Sequence, residues 1–338
     1  MTDINTQPVY IVTGSAGHLG SAVVNLLNEK GKRVFALCLP NEKHIPQGEN
    51  VKIYYGNVCE KESLAAMFED CGDKPAIVIH CAGIVSISSR FEQKVYDVNV
   101  NGTKNIILLC EKYKISKLVH VSSVHAIPEL PKGQAISEVD KFNPDDVVGL
   151  YAKTKAEATQ CVLDYAKRGN NASVIHPSGI TGPGDFGGGH ITQLVIDYCK
   201  GALTSAVNGG YDFVDARDVA QGIVSCCEKG GSGECYILSG QYLKVSELLN
   251  ILHDITERRE VKNILPLWFA KLTAPLSEIY YRILKQPPLF TSYSIFTLNT
   301  NADFNREKAL RELGYTVRPV RETLEDTVKW LKEKGRLV

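Results

Sequence analysis

Val9-Tyr10-Ile11-Val12-Thr13-Gly14-Ser15-Ala16-Gly17-His18-Leu19-Gly20 is the stretch on which the fold turns. Val9 to Val12 is a short apolar run, which reads as a parallel strand buried on both faces. It leads straight into glycines at 14, 17 and 20, and Ala22-Val23-Val24-Asn25-Leu26-Leu27 then carries an apolar helical face. Each glycine has its own reason. Gly14 permits a tight turn, Gly17 lets the backbone come close to a pyrophosphate, and Gly20 lets the helix pack closely on the strand. His18 and Leu19 open the helix, whose first N–H groups and positive dipole end would face an anion. Glycines at such offsets say little alone; strand, loop and helix in this order say much more.

Outward from this unit, strand and helix signals alternate. Arg33–Cys38, Val51–Tyr55, Ala76–His80, Lys117–Ser122 and Ala172–His176 read as strands. Lys61–Asp70, a long helix ending near Tyr113 and the helix holding Tyr151 lie between them. The alternation predicts an α/β fold built on a doubly wound parallel sheet. After Pro177 glycine, proline and aromatic residues rise and the alternation fails, so Gly182–Gly189 reads as a mobile loop at a lobe boundary. Two helices close the chain, around Asn305–Leu313 and Val320–Lys334. The expected division places residues 1–176, with 213–238 returning to them, in a dinucleotide-binding domain. Residues 177–212 and 239–338 then form a smaller, mixed substrate-binding lobe.

Composition narrows the function classes. In 338 residues, 44% of them hydrophobic, there is apolar material for a large core. Lysine plus arginine and aspartate plus glutamate number 38 each, and no basic stripe with interleaved aromatics appears, so no nucleic-acid partner is expected. The polar start Met1–Pro8 lacks the layout of a signal peptide. Ten cysteines without a paired spacing suit reduced thiols in a cytoplasmic protein, and they form no metal-ligand cluster with the eight histidines. Ile264–Leu284 is mostly apolar, but Lys271, Glu278, Arg282 and Pro275 interrupt it. A membrane span needs close to twenty uncharged residues. The segment therefore reads as an amphipathic helix lining a core or an apolar substrate pocket, with surface attachment to a membrane as the alternative.

The chemistry centres on Tyr151-Ala152-Lys153-Thr154-Lys155. On a helix, positions four apart stack on one face, and a cation near a phenol favours phenolate. A positioned phenol can then pass a proton to or from a carbonyl oxygen while a hydride moves elsewhere. Tyr113/Lys117 and Tyr281/Lys285 share the spacing but read as exposed helical pairs. Tyr151 differs because of the strand ends upstream, where ligands of parallel sheets bind. His80-Cys81-Ala82-Gly83 offers small residues for an adenosine ribose, Val121-Ser122-Ser123 a hydroxyl beside a nicotinamide, and His176-Pro177-Ser178-Gly179 a sixth strand end.

With these residues in order, the chain resembles the extended short-chain dehydrogenase/reductase family. The motifs that carry the resemblance are Thr13–Gly20, Asn57-Val58, His80–Gly83, Asn99-Val100-Asn101-Gly102-Thr103, Val121–Ser123 and Tyr151-x-x-x-Lys155. Pro177–Pro183 and Phe213–Ala220 complete it, over about residues 8 to 238. The tail, with Pro287–Thr291, Lys308–Tyr315 and Trp330, is similar to the branch of 3β-hydroxysteroid dehydrogenase-like and dihydroflavonol reductase-like enzymes. The resemblance implies a Rossmann sheet and roles for named residues. Tyr151 is implied as general acid/base, Lys155 as the cation that lowers its pKa and binds the nicotinamide ribose, Ser123 as the substrate hydrogen bonder, and Asn99 as support for the proton relay. Gly14, Gly17, His18, Leu19, Gly20, Asn57, Val58, Cys81, Ala82, Gly83, Pro177 and Gly179, with Tyr151 and Lys155, are implied to hold the cofactor. A homodimer through Phe91–Tyr113 and Leu150–Lys167 is implied in the same way.

Departures matter too. At the end of the second strand, where relatives preferring NAD place an acid and those preferring NADP an arginine, this chain has Cys38-Leu39-Pro40-Asn41, with Lys43 and His44 nearby. NAD or NADP stays open. Asn57 replaces an aspartate of the adenine pocket. Ser123-Val124-His125 lacks the acids that sugar dehydratases place after the serine, and Gly179 stands where sugar-nucleotide enzymes show an asparagine that holds the diphosphate. The favoured expectation is NAD(P)-dependent interconversion of a secondary alcohol and a ketone on an apolar, multi-ring small molecule such as a 3β-hydroxysteroid. A nucleotide-sugar epimerase or dehydratase and a non-catalytic dinucleotide sensor are the alternatives, and the retained Tyr151 and Lys155 weigh against the sensor.

Overall fold

In the computed structural model residues 7–87, 90–270, 272 and 292–337 are described. Seven parallel strands form the main sheet: β1 (Val9–Thr13), β2 (Val34–Cys38), β3 (Val51–Tyr55), β4 (Ala76–His80), β5 (Lys117–Val121), β6 (Ala172–Pro177) and β10 (Cys235–Leu238). Their order is β10-β6-β5-β4-β1-β2-β3. The remaining strands are β7 (Gly179–Thr181), β8 (Ala206–Val207), β9 (Gly210–Asp215), β11 (Gln241–Lys244) and β12 (Ile264–Leu265). β11, β9 and β7 make a three-stranded mixed sheet.

β1 lies inside the sheet, paired with β4 on one side and β2 on the other, and every one of its residues is buried. Alternate residues feed two cores. Val9 and Ile11 join Val78, Leu118 and Val174 on one face, while Tyr10 and Val12 join Ile79, Val119 and Ile175 on the other. Helices therefore cover both faces: α1 (His18–Glu29) packs with α7 (Ala216–Lys229), and α4 (Gly102–Lys112) with α5 (Leu150–Lys167). The chain leaves β1 toward β2 and β3, then returns to add β4 on its other side, so the crevice opens where Thr13 and His80 end side by side.

Several expected boundaries shift. Lys61–Asp70 divides into a 3₁₀ turn at Lys61–Leu64 and a short helix at Ala65–Glu69. The long helix before Tyr113 runs from Gln93 but carries a π turn at Asp97–Asn101. Residues 213–215 end β9 in the small sheet, whereas α7 and β10 return to the large one. A third core, including Val195, Leu248, Leu252, Leu324 and Val328, holds the small sheet to its helices. Of the apolar segment that begins at Ile264, residues 271 and 273–284 lie outside the described residues, as do Pro287–Thr291 and the Tyr281/Lys285 pair. Ala270 is buried with Val207 and Ile295, while Trp268 and Leu272 are exposed. No helix among the described residues is long and apolar enough to cross a membrane.

Candidate active site

The loop after β1 has no room for side chains at its glycines. Gly14 has φ +67°, and a Cβ there would lie 2.8 Å from the Ala82 backbone. A Cβ on Gly20 would lie 2.0 Å from the Gly14 carbonyl oxygen, so the close approach is between helix and loop. Gly17 caps α1, and Leu19 is buried beneath it. His18 turns away from the strands, with Nε2 3.1 Å from the Pro183 carbonyl oxygen. A bare loop at the N-terminus of a 12-residue helix fits a pyrophosphate by donor geometry and by dipole.

Cys81, Ala82 and Gly83 continue β4 across this loop. Cys81 N donates to Thr13 O and Ala82 N to Thr13 Oγ1, both at 3.2 Å. Gly83 faces the chemistry: a Cβ there would lie 3.2 Å from Lys155 Nζ and 3.3 Å from Asn99 Oδ1. Cys81 is inert as a nucleophile, because burial pushes its thiol up to about 12 despite Lys155 nearby.

Ser123 and Tyr151 meet at the end of β5. The Ser123 hydroxyl lies beside the Tyr151 phenol, near enough to favour its ionised form, and accepts the His125 N–H at 3.2 Å. Ser122 is committed elsewhere, to Thr159 at 2.6 Å in the buried interior. Lys155 Nζ donates to Val121 O at 2.8 Å. Here the structure departs from the simple reading of the pair. Burial pushes Tyr151 up to about 12, the Ser123 hydroxyl opposes it, and burial brings Lys155 down to about 8. Desolvation outweighs the expected help of the cation, because the flexible lysine stem carries its charge to the strand carbonyl.

That shift has a measurable sign. Lys155 titrates near 8 when folded against 10.5 unfolded, so below 8 the folded protein holds a costly buried charge. Stability owed to this group rises as pH climbs from 8 to 10.5. Urea titrations of wild type and Lys155→Met should show the difference moving toward wild type over that window. A difference independent of pH would refute the assignment.

Asn99 sits within the π turn, a distortion frequent at functional sites. Its Oδ1 accepts Ile84 N at 2.8 Å, and its Nδ2 donates to Ile84 O and to Thr154 Oγ1, both at 3.0 Å. Thr154 in turn donates to Tyr151 O at 2.8 Å. A second chain, not read from sequence, reaches the same asparagine. Thr103 Oγ1 donates to Asn99 O, so it must accept from His80 Nε2 at 3.0 Å. His80 Nδ1 is then left to accept from Thr13 Oγ1 at 2.7 Å. Burial holds His80 down to about 3, which keeps this tautomer neutral. The glycine loop and the Tyr151 helix are thus joined through one buried relay.

Other expected residues stand farther off. Asn57 Oδ1 accepts Cys59 N at 3.0 Å, so the side chain closes its own loop at the end of β3. Val58 is buried, and a Cβ on Gly102 would lie 2.7 Å from its Cγ2, which leaves only its main chain for a ligand. Pro177 is buried at the end of β6, and Gly179 begins the small sheet. At the second strand end Leu39 is exposed and His44 stacks on Phe186 at 4.0 Å. The loop expected to be mobile is tied down: Asp185 accepts Gly188 N and Gly189 N, and Arg336 Nη1 donates to Asp185 O at 2.8 Å. All ten cysteines are unpaired. Among the described residues no group of three or more His, Cys, Asp or Glu is arranged to hold a metal.

Next to Ala152 on the Tyr151 helix lies a small cavity lined by Val124, Ile127, Ile136, Val147, Val148, Ala152 and Phe304 together with the polar His125, Glu129, Tyr211, Thr300 and Asn301. Its far wall is non-local. Ile136 N donates to Asp303 O and Asn305 N to Ile136 O, so the chain near 303 clips the loop between Ser123 and Tyr151.

Comparison with known proteins agrees with this fold. The family model described as NAD dependent epimerase/dehydratase family matches residues 10–239. The sterol demethylase protein B of Methylococcus capsulatus is 28% identical over 332 residues, covering 97% of this chain and 99% of its own. A 4-hydroxy-2-methyl-3-oxo-4-farnesyl-3,4-dihydroquinoline-1-oxide ketoreductase of Stigmatella aurantiaca is 28% identical, covering 91% of each chain. The crystal structure of gox2253 superposes with a TM-score of 0.82 at 28% identity, over 98% of this chain and 100% of that one.

Proposed function

The chain belongs to the NAD dependent epimerase/dehydratase family, and on that premise we propose that it interconverts a secondary alcohol and a ketone on an apolar, multi-ring substrate such as a 3β-hydroxysteroid. The observation that carries this reading is the placing of the Ser123 hydroxyl beside the Tyr151 phenol at the carboxyl end of β5, with Lys155 one helical turn on and a cavity adjoining through Val124 and Ala152. The dinucleotide, NAD or NADP, supplies hydride transfer at its nicotinamide when bound. Gly14, Gly17 and Gly20 with the start of α1 hold the pyrophosphate, and Cys81, Ala82 and Gly83 give a flat backbone for the ribose. Ser123 orients the substrate oxygen. Tyr151 donates its proton to that oxygen on reduction or takes it on oxidation. Asn99 fixes Thr154 and so the first turn of the Tyr151 helix.

Support also comes from relatives whose names refer to a sterol and to ketone reduction. A nucleotide-sugar epimerase or dehydratase is the other reading, since the family includes both. Purified protein mixed with reduced cofactor and panels of ketosteroids, flavonoid ketones and UDP- or dTDP-sugars separates them by absorbance at the reduced-nicotinamide band. Net consumption with a ketone is expected. Sugar conversion without net consumption would overturn the proposal. The homodimer proposed through Phe91–Tyr113 and Leu150–Lys167 accords with exposed Phe91 and Leu108 on the first of these helical stretches.

A further inference from the structure

Gly179 is a glycine because an aromatic ring occupies the place of its side chain. A Cβ there would lie 3.0 Å from Tyr211 Cδ1, 3.1 Å from Cε1 and 2.8 Å from the Asp212 carbonyl oxygen. Crowding alone imposes the glycine, for β7 holds it against β9 in parallel pairing with Phe213. The Tyr211 ring is then clamped. Its hydroxyl meets His125 Nε2 at 2.9 Å, and the two rings stack at 5.6 Å and 13°. Phe213 and Phe304 meet it edge-on at 6.3 and 6.4 Å. His125 in turn stands edge-on to Tyr151 at 6.1 Å, so the wall adjoins the phenol.

The cavity under this wall suits a neutral guest. Burial brings His125 down to about 4, so it offers an uncharged imidazole at neutral pH. No lysine or arginine is among the described lining residues, and the carboxyl group there, Glu129, is exposed at the rim. A diphosphate entering such a site would lose its hydration without gaining a cation from any of the described lining residues, which is strongly unfavourable. An aromatic or fused ring would instead gain face and edge contacts.

We infer that Tyr211, seated on Gly179 and held by His125, is a specificity-determining wall that admits an uncharged ring-bearing ketone or alcohol and rejects a nucleotide diphosphate. The inference rests on the alcohol/ketone reading above and adds which residue selects its substrate. A merely structural Tyr211 would alter stability and leave ligand selectivity unchanged.

Calorimetry on the dinucleotide-loaded protein tests this with progesterone, naringenin and menadione as neutral ring probes and UDP-glucose as the charged one. Wild type should bind at least one ring probe and not UDP-glucose. Tyr211→Phe should keep ring affinity within about threefold, whereas Tyr211→Ala should weaken it about tenfold or more with dinucleotide affinity intact. If the alanine variant loses dinucleotide binding, Tyr211→Leu takes its place, keeping bulk while removing the aromatic ring, and the same weakening of ring affinity is expected. UDP-glucose bound as tightly as the ring probes, no ring probe bound at all, or ring affinity unchanged in a folded Tyr211→Ala, would each overturn the inference. Failure of the underlying function looks different: probes bind and respond to Tyr211, yet no reduced cofactor is consumed.

Discussion

Tyr151→Phe should lower turnover by about 10²–10⁴-fold while leaving dinucleotide affinity within about twofold. The variant keeps the ring that packs edge-on to His125 and removes only the hydroxyl that lies beside Ser123. Steady-state kinetics and a binding titration on the same protein separate the two effects, and undiminished kcat would refute the role. The environment adds a direction. Burial holds the phenol up near 12, so at neutral pH it carries the proton that ketone reduction needs. Alcohol oxidation requires the phenolate and should therefore accelerate as pH rises, while reduction stays nearly flat through neutrality. Ser123→Ala removes the neighbouring hydroxyl that opposes the effect of burial and should depress oxidation more than reduction.

Gly14→Ala should weaken dinucleotide binding by at least about tenfold and destabilise the fold by about 1–3 kcal/mol. Two costs coincide at this position. A left-handed backbone costs an L-residue about 1–2 kcal/mol, and Gly14 has φ +67°. The added methyl would also stand 2.8 Å from Ala82 Cα and N, which are main-chain atoms of the segment leaving β4. Relief requires the loop to lift away from Ala82, at the crevice where the pyrophosphate is proposed to lie. Fluorescence titration with reduced cofactor and urea denaturation give both quantities. Unchanged affinity would contradict the assignment of this loop.

The sheet and the glycine loop are legible in the sequence because their signals are local. A four-residue apolar run, a glycine triplet and an apolar helical face need no distant partner to be recognised. Ser123 and Tyr151 are legible for a related reason, since strand ends and helix starts fix where side chains emerge. The direction of the Lys155 amine is not. A spacing of four gives the helix face but not the end point of a flexible stem, which here reaches Val121 O. The His80 relay escapes because Thr13, His80 and Thr103 are joined only when β1, β4 and α4 pack. Most remote is the cavity wall, where Asn301 Nδ2 donates to Gln134 O across 167 residues. No periodicity records such a pairing. The reason for Gly179 is likewise held 32 residues away, in the ring of Tyr211 (211 − 179).

Deuterium tracing probes the central claim most directly. The protein is incubated with reduced nicotinamide dinucleotide carrying deuterium at both hydrogens of the reactive carbon and with the ring ketone that consumes it, the second deuterium remaining on the oxidised ring. One deuterium should appear on the new carbinol carbon for each cofactor oxidised, and the Tyr151→Phe protein should slow that transfer without altering its position. Both labels retained in the cofactor while product accumulates, or product formed with label elsewhere, would contradict the account.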